Sequence, residues 1–356
     1  MTFRLIEINL PKNKQQALEE IISSRKDVLD LTIQPVVGFW RIPVQGDWKT
    51  RFSTDKILIR MLVLAEGSQN LLDLLEEAFL DEDGFRINIF ALEASFPSIS
   101  EEDKLEAVSS YEGERDHKGR VSREELYNEL EKGAKITKFY SFMIILSSIV
   151  AAIGVLNNSV AVIIGAMVIA PMLTPNVSLS LATALGDLPM AKSALKTIII
   201  GISIAIILSV ALGFLLPVDP SLQEISSRTS LGIMDIVLAL ASGAAGALSF
   251  TSAIPAVLIG VAVAVALMPP LVVFGLLLGA GYYSLALGAF FLFLANLISI
   301  NLAGVAIFLA QGIEPRTWWD AKKAKRATVL AIVGWTMLLA ILIIILFFGD
   351  LQILRL

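Results

Sequence analysis

The chain has 356 residues, of which 56% are hydrophobic and only 17% charged, against roughly 45–50% apolar in a soluble domain. Its net charge of −5 offers no basic face of the kind that nucleic acid requires, and the absence of cysteine excludes disulfides, thiol catalysis and cysteine-ligated metals. The apolar excess is concentrated: neither Phe139–Gly186 nor Ile236–Ile313 contains Asp, Glu, Lys, Arg or His, and charge-free runs beyond about 18 residues are membrane candidates.

Residues 1–135 hold 18 of the 28 basic and 26 of the 33 acidic residues, so an acidic soluble region precedes an apolar one. The opening MTFRLIEINL alternates and carries charge, unlike a signal peptide. The N-terminal domain (residues 1–97) is therefore expected in the cytoplasm, where a chain without cysteines is at home.

Within that domain, Phe3–Leu10 and Arg86–Ala94 alternate like strands, Lys56–Leu64 is a more continuous, central strand, and a fourth lies near Leu29–Val37. Ala17, Leu18, Ile21 and Ile22 form one helical stripe, and Leu71, Leu72, Leu75, Ala78 and Phe79 another. The order is βαββαβ, which predicts an α+β ferredoxin-like sandwich resembling ACT-type regulatory domains. Gly38–Asp55, with Trp40 and Trp48, reads as a long loop, either pinned to the sheet by its aromatics or free to hold a ligand or partner.

Residues 98–121 are acidic and polar, a flexible linker containing His117, the single histidine, for which no metal or catalytic role is expected. Ser122 and Glu125 form a capping-box pattern that opens a juxtamembrane helix over residues 122–135, with Leu126 and Leu130 on one face. This helix either rests on the membrane or continues into the first span.

Seven spans follow in the transmembrane domain, residues 136–356: Ile136–Leu156, Ser159–Leu185, Ala191–Leu216, Leu231–Phe250, Thr251–Gly279, Tyr283–Gln311 and Ala327–Phe348. The second and fifth contain Pro171, Pro175, Pro269 and Pro270, and a helix of about 27 residues is too long for a straight crossing. Both are expected to be broken at these prolines.

A shift of 95 residues aligns Ala161–Asp187 with Ala256–Tyr282 without a gap, with nine identities in 27 positions, including Gly165 with Gly260, Pro175 with Pro270 and Gly186 with Gly281. Two three-span repeats (136–216 and 231–311) plus a final helix (327–348) result. Basic residues at Lys132, Lys135, Lys138, Lys192, Lys196 and in Arg316–Arg326 place those segments in the cytoplasm. The repeats are then inverted and the C-terminus lies outside. Were each Pro-broken segment a re-entrant hairpin, the repeats would instead be parallel.

The segments IGAMVIAPMLTP…GD, MPP and ANLISINLAG closely resemble the uncharacterised hydrophobic domain family (domain of unknown function 389) of bacteria and archaea, over about Lys135–Gln311. The resemblance implies a multi-span protein of the cytoplasmic (inner) membrane, often with a soluble N-terminal domain. It implies no substrate, cofactor or site residue.

Asn176, Ser180 and Thr183 share one helical face beyond the prolines, with Asp187 one turn further and Thr174 at the break. Asn296 and Ser299, three apart on the sixth span, are expected to face them, whereas Asn301 points elsewhere and suits an interhelical hydrogen bond. Asp235 is an intramembrane carboxylate and so a candidate cation or proton site; Asp187 is expected to snorkel to the interface. The stripes Gly201, Ala205, Ser209, Gly213 and Gly275, Gly279 suit close packing of helices or subunits, and a homo-oligomer is expected.

These features predict a secondary transporter or channel for a small solute or ion, regulated by its cytoplasmic domain. The alternative is a membrane-anchored sensor whose soluble domain binds a metabolite. The spans hold no histidine, cysteine or close carboxylate pair, so enzyme chemistry, metal and cofactor are not expected. The partners are the lipid bilayer and the solute.

Overall fold

The computed structural model describes residues 3–92 except 24, 26, 45, 46, 81 and 83, then 123–252, 256–313, 328–341 and 344. The linker with His117, the capping residue Ser122, the basic segment Arg316–Arg326 and the end of the last span lie outside the described residues. The chain divides into two compact units, Met1–Glu125 and Leu126–Leu356.

The first unit contains β1 (Phe3–Pro11), α1 (Gln15–Ser23), β2 (Val28–Val44), β3 (Asp47–Leu64), α2 (Ala65–Phe79) and β4 (Arg86–Leu92). The four strands form one antiparallel sheet in the order β2-β3-β1-β4. Strand alternation sends Ile6, Ile8 and Leu10 to one face, where Leu18 and Ile22 of α1 and Leu71, Leu75 and Phe79 of α2 bury them in a single core.

Gly38–Asp55 is not a loop. β2 and β3 stay paired out to Val44 opposite Asp47, with a register shift between Val36 and Gly38. The glycine that reads as loop punctuation marks a bulge in a long hairpin, a position that interrupts a strand pattern without ending it. Val37 and Phe52 are exposed on that hairpin.

The second unit is helical. Its elements are α3 (Arg123–Ala134, which begins at the end of the first unit), α4 (Lys138–Leu156), α5 (Val160–Ile169), α6 (Leu173–Leu185), α7 (Leu188–Leu215), the short α8 (Gln223–Ser226), α9 (Ile233–Thr251), α10 (Ala256–Gly279), α11 (Tyr283–Ala310) and α12 (Thr328–Ile341). Among the described residues, four helices are long and apolar enough to cross a membrane, α4, α7, α9 and α11, or five if the bent pair α5–α6 is one span. That pattern suggests a membrane protein.

The bend between α5 and α6 is 54°. Pro171 forces the residue before it out of the helical region, and Ala170 is extended, at φ −69 and ψ 114. Pro175 falls in the first turn of α6, where an amide N–H has no helical partner to lose.

The segment expected as a broken fifth span is one helix: Pro269 and Pro270 lie inside α10, which runs unbroken from Ala256 to Gly279. In the repeat alignment Pro171 corresponds to Ala266. The proline at the α5–α6 bend therefore has no proline counterpart in α10 under that alignment.

The small-residue stripes on α7 and α10 pack against each other. A Cβ at Gly213 would strike the carbonyl of Leu276, one at Gly279 the carbonyl of Val210, and one at Gly275 the side chain of Ser209. Close approach of two backbones leaves no room for a side chain at these three positions.

Candidate functional site

The bend at Ala170–Met172 turns α6 so that Asn176, Ser178, Ser180 and Thr183 are all buried. Buried amides and hydroxyls need partners. Asn176 donates through Nδ2 to the carbonyl of Met172 at 2.7 Å and accepts at Oδ1 from Asn301 Nδ2 of α11 at 3.0 Å. Ser180 Oγ lies 3.1 Å from the Asn176 carbonyl, 3.2 Å from the Asn301 carbonyl and 3.3 Å from Asn301 Oδ1, so its one proton is shared among three acceptors. Gly304 permits this approach, since a Cβ there would lie 2.6 Å from Ser180 Oγ.

Asn301 is thus the residue that α11 presents to the broken helix, in place of the expected Asn296 and Ser299. Five residues at about 100° each rotate Asn301 roughly 140° away from Asn296. That rotation carries Asn296 to α10, where its Nδ2 donates to the carbonyl of Ala266 at 2.7 Å. Pro270 cannot supply the usual donor to that carbonyl, four residues earlier, and Asn296 replaces it. Among the described residues, Asn296 Oδ1 and Ser299 Oγ have no hydrogen-bond partner.

The other expected residues are dispersed. Thr174 packs its methyl on Gly133 of α3, and Thr183 bonds the carbonyl of Leu179 in its own helix at 2.8 Å. Asp235 lies in the first turn of α9 and accepts from the Gly232 amide at 2.8 Å, a capping role that accounts for a carboxylate at this position.

Asp187 does not snorkel. It is 3% exposed, caps α7 by accepting from the Met190 amide at 3.1 Å, and accepts from Tyr127 Oη of α3 at 2.7 Å. Burial first, then the hydrogen bond to Asp187 and its charge, then the charge of Glu131, push the Tyr127 phenol above its ordinary range.

α3 neither lies loose nor continues into α4. Residues 135–137 separate them, and Thr137 caps α4 at the Tyr140 amide, 3.0 Å away. The carbonyls near the end of α3 are taken by hydroxyls: Leu130 by Ser178 at 2.7 Å, Ala134 by Thr197 at 2.7 Å and by Ser193 at 3.0 Å. The two bonds to Ala134 satisfy a group that a helix C-terminus leaves open, while Leu130 shares the Ser178 proton with the Thr174 carbonyl. The sequence carried a hint of this seam in the tyrosine–aspartate pair, but a separation of 60 residues hides it from any local pattern.

Asn176, Ser180, Asn296, Ser299 and Asn301 fall within one recognised segment. Residues 167–302 match the family described as Domain of unknown function (DUF389), from just before the Pro171 break to just past Asn301. The chain is also 36% identical over 348 residues to an uncharacterized protein of Methanocaldococcus jannaschii, across 98% of this chain and 100% of that one. No solved structure matches.

Proposed function

The chain belongs to the DUF389 family, and we propose that it is a polytopic membrane protein that carries a small neutral solute or monovalent ion through its helix bundle. One observation carries this reading: the polar cluster of Asn176, Ser180 and Asn301 is buried where α5–α6 breaks. Broken helices with polar groups at mid-depth are a recurrent plan for solute sites in transporters.

Two further features support it. α7, from the first repeat, packs on α10 of the second, and α11 of the second packs on α6 of the first. This exchange is what two inverted repeats related by a pseudo-two-fold axis would produce. In the same reading the inner (cytoplasmic) membrane holds about seven spans, with the N-terminal domain in the cytoplasm and the C-terminus outside.

The test is flux in proteoliposomes, read by uptake of radiolabelled sodium and by swelling with small neutral solutes. Asn301→Leu and Asn176→Ala should lower flux, while Asp235→Asn, which keeps a capping side chain, should leave it intact. Wild-type flux in both cluster variants would remove the site.

A second reading draws on the N-terminal unit, whose βαββαβ order and β2-β3-β1-β4 sheet are those of ferredoxin-like, ACT-like regulatory modules. In it, the domain senses a metabolite. Deleting residues 1–97 separates the two: a carrier keeps flux, a sensor loses its response.

A further inference from the structure

α10 contains two consecutive prolines, neither with an amide proton. In a helix each removes the donor for the carbonyl four residues earlier, here Val265 and Ala266. Asn296 of α11 takes up Ala266 with its Nδ2 at 2.7 Å. That contact fixes the amide's orientation and leaves its Oδ1 with no partner among the described residues, on a residue 5% exposed. One turn along the same face of α11, Ser299 is fully buried, at 0% exposure, and its Oγ is also without a partner.

Leaving a buried polar atom unpaired costs about 1–3 kcal/mol, so two within one turn call for an occupant. The oxygens in question are an amide Oδ1 and a hydroxyl, beside a helix in which Pro269 supplies no amide to the carbonyl four residues earlier. Both can accept an electropositive guest, and the amide oxygen can do nothing else. Carbonyl, amide and hydroxyl oxygens are the groups that replace the hydration shell of a small hard cation.

We infer that Asn296 Oδ1, Ser299 Oγ and the backbone around Pro269–Pro270 form a binding site for a single alkali-metal cation. The charge of the guest follows from its surroundings. Ile236–Ile313, which holds both α10 and α11, contains no Asp, Glu, Lys, Arg or His, so neither helix offers a charge to offset a double one, and divalent ions rely on carboxylates. For the same reason the site is no proton relay, because none of its groups titrates near neutral pH. As the coupling site of the carrier proposed above, it rests on that reading; as a binding site, it is measured without it.

The experiment is thermal unfolding of the purified full-length protein, titrated with NaCl, KCl or LiCl against choline chloride at constant ionic strength. A bound ion raises the midpoint in a saturable way. The wild type should be stabilised saturably by one alkali cation over choline. Ser299→Ala, which breaks no protein hydrogen bond among the described residues, should fold normally and need about tenfold more of that ion for the same shift.

Ser148→Ala is the control. Its hydroxyl is also buried but bonds the carbonyl of Ile144 at 2.7 Å, and it should keep the wild-type ion dependence. Equal stabilisation by alkali and choline salts in the wild type overturns the site, as does an unchanged ion dependence in Ser299→Ala. If binding holds and an ion gradient drives no flux, the carrier reading falls and the site stands. If flux persists without ion-specific stabilisation, the site falls and the carrier stands.

Discussion

Asn301 donates a 3.0 Å hydrogen bond to the side-chain carbonyl of Asn176, 125 residues earlier in the chain. Both residues are buried, and the bond ties α11 to the helix that follows the Pro171 break. Asn301→Leu leaves Asn176 Oδ1 unpaired and should cost about 1–3 kcal/mol. Adding Asn176→Leu removes the orphaned group, so the double variant should be less destabilised than the sum of the two single ones. Thermal unfolding of the four proteins in one detergent checks this; strict additivity would show that the two amides do not interact.

The pair Pro270 and Asn296 offers a second cycle. Asn296 replaces the donor that Pro270 cannot provide to Ala266. Asn296→Ala should therefore destabilise the wild type by about 1–3 kcal/mol. In a Pro270→Ala background, where a backbone amide can reach the same carbonyl, the loss should be less than half as large. Equal losses in both backgrounds would refute the substitution of one donor for the other.

The Tyr127–Asp187 contact predicts a pH dependence. The phenol's value in the folded protein is raised above its unfolded value of about 10. The stability it contributes is therefore complete below pH ~10 and is lost as pH rises through the folded value. Tyr127→Phe lacks this term, so wild type and variant should differ at neutral pH and converge at strongly alkaline pH. Urea unfolding across that range measures it; curves that keep a constant separation would show that the phenol's ionisation is not linked to folding.

Glycine substitutions should separate packing from propensity. A Cβ at Gly279 would meet the backbone of α7 at the Val210 carbonyl, whereas one at Gly165 meets nothing within 4 Å. Gly165→Ala should be neutral or stabilising by up to about 1 kcal/mol, the usual helix preference for alanine. Gly279→Ala should destabilise by about 1–3 kcal/mol, because overpacking forces helices apart. Unfolding midpoints of the two variants test the contrast.

Much of this architecture was legible in the residues. The alternation of Ile6, Ile8 and Leu10 announced β1 and its core face, and the helical stripes of Leu18–Ile22 and Leu71–Phe79 are the ones that cover it. The long hairpin is not legible in the sequence because Gly38 lies at a register shift inside it, where a long loop was expected to begin. In the bundle, Asn176 and Ser180 were identifiable from their shared face. Their partner was not: Asn296 and Ser299 were expected to face them, whereas Asn301, expected to make an interhelical hydrogen bond, makes it to Asn176, because the sequence says nothing of which neighbour each face meets.

By itself the sequence indicated local geometry: which long runs are apolar enough to cross a membrane as helices, and that Pro171 would interrupt one of them, as it does after Ile169. These follow from covalent facts, such as a missing amide proton or a period of 3.6 residues, that act within one or two turns. Only the tertiary structure decided that Pro269 and Pro270 could stay inside an unbroken helix, since that depends on Asn296 arriving from α11 to take the freed Ala266 carbonyl. It likewise decided that Asp187 is buried beneath Tyr127. A buried polar group is stabilised by whatever lies across the helix interface, and packing alone selects that neighbour.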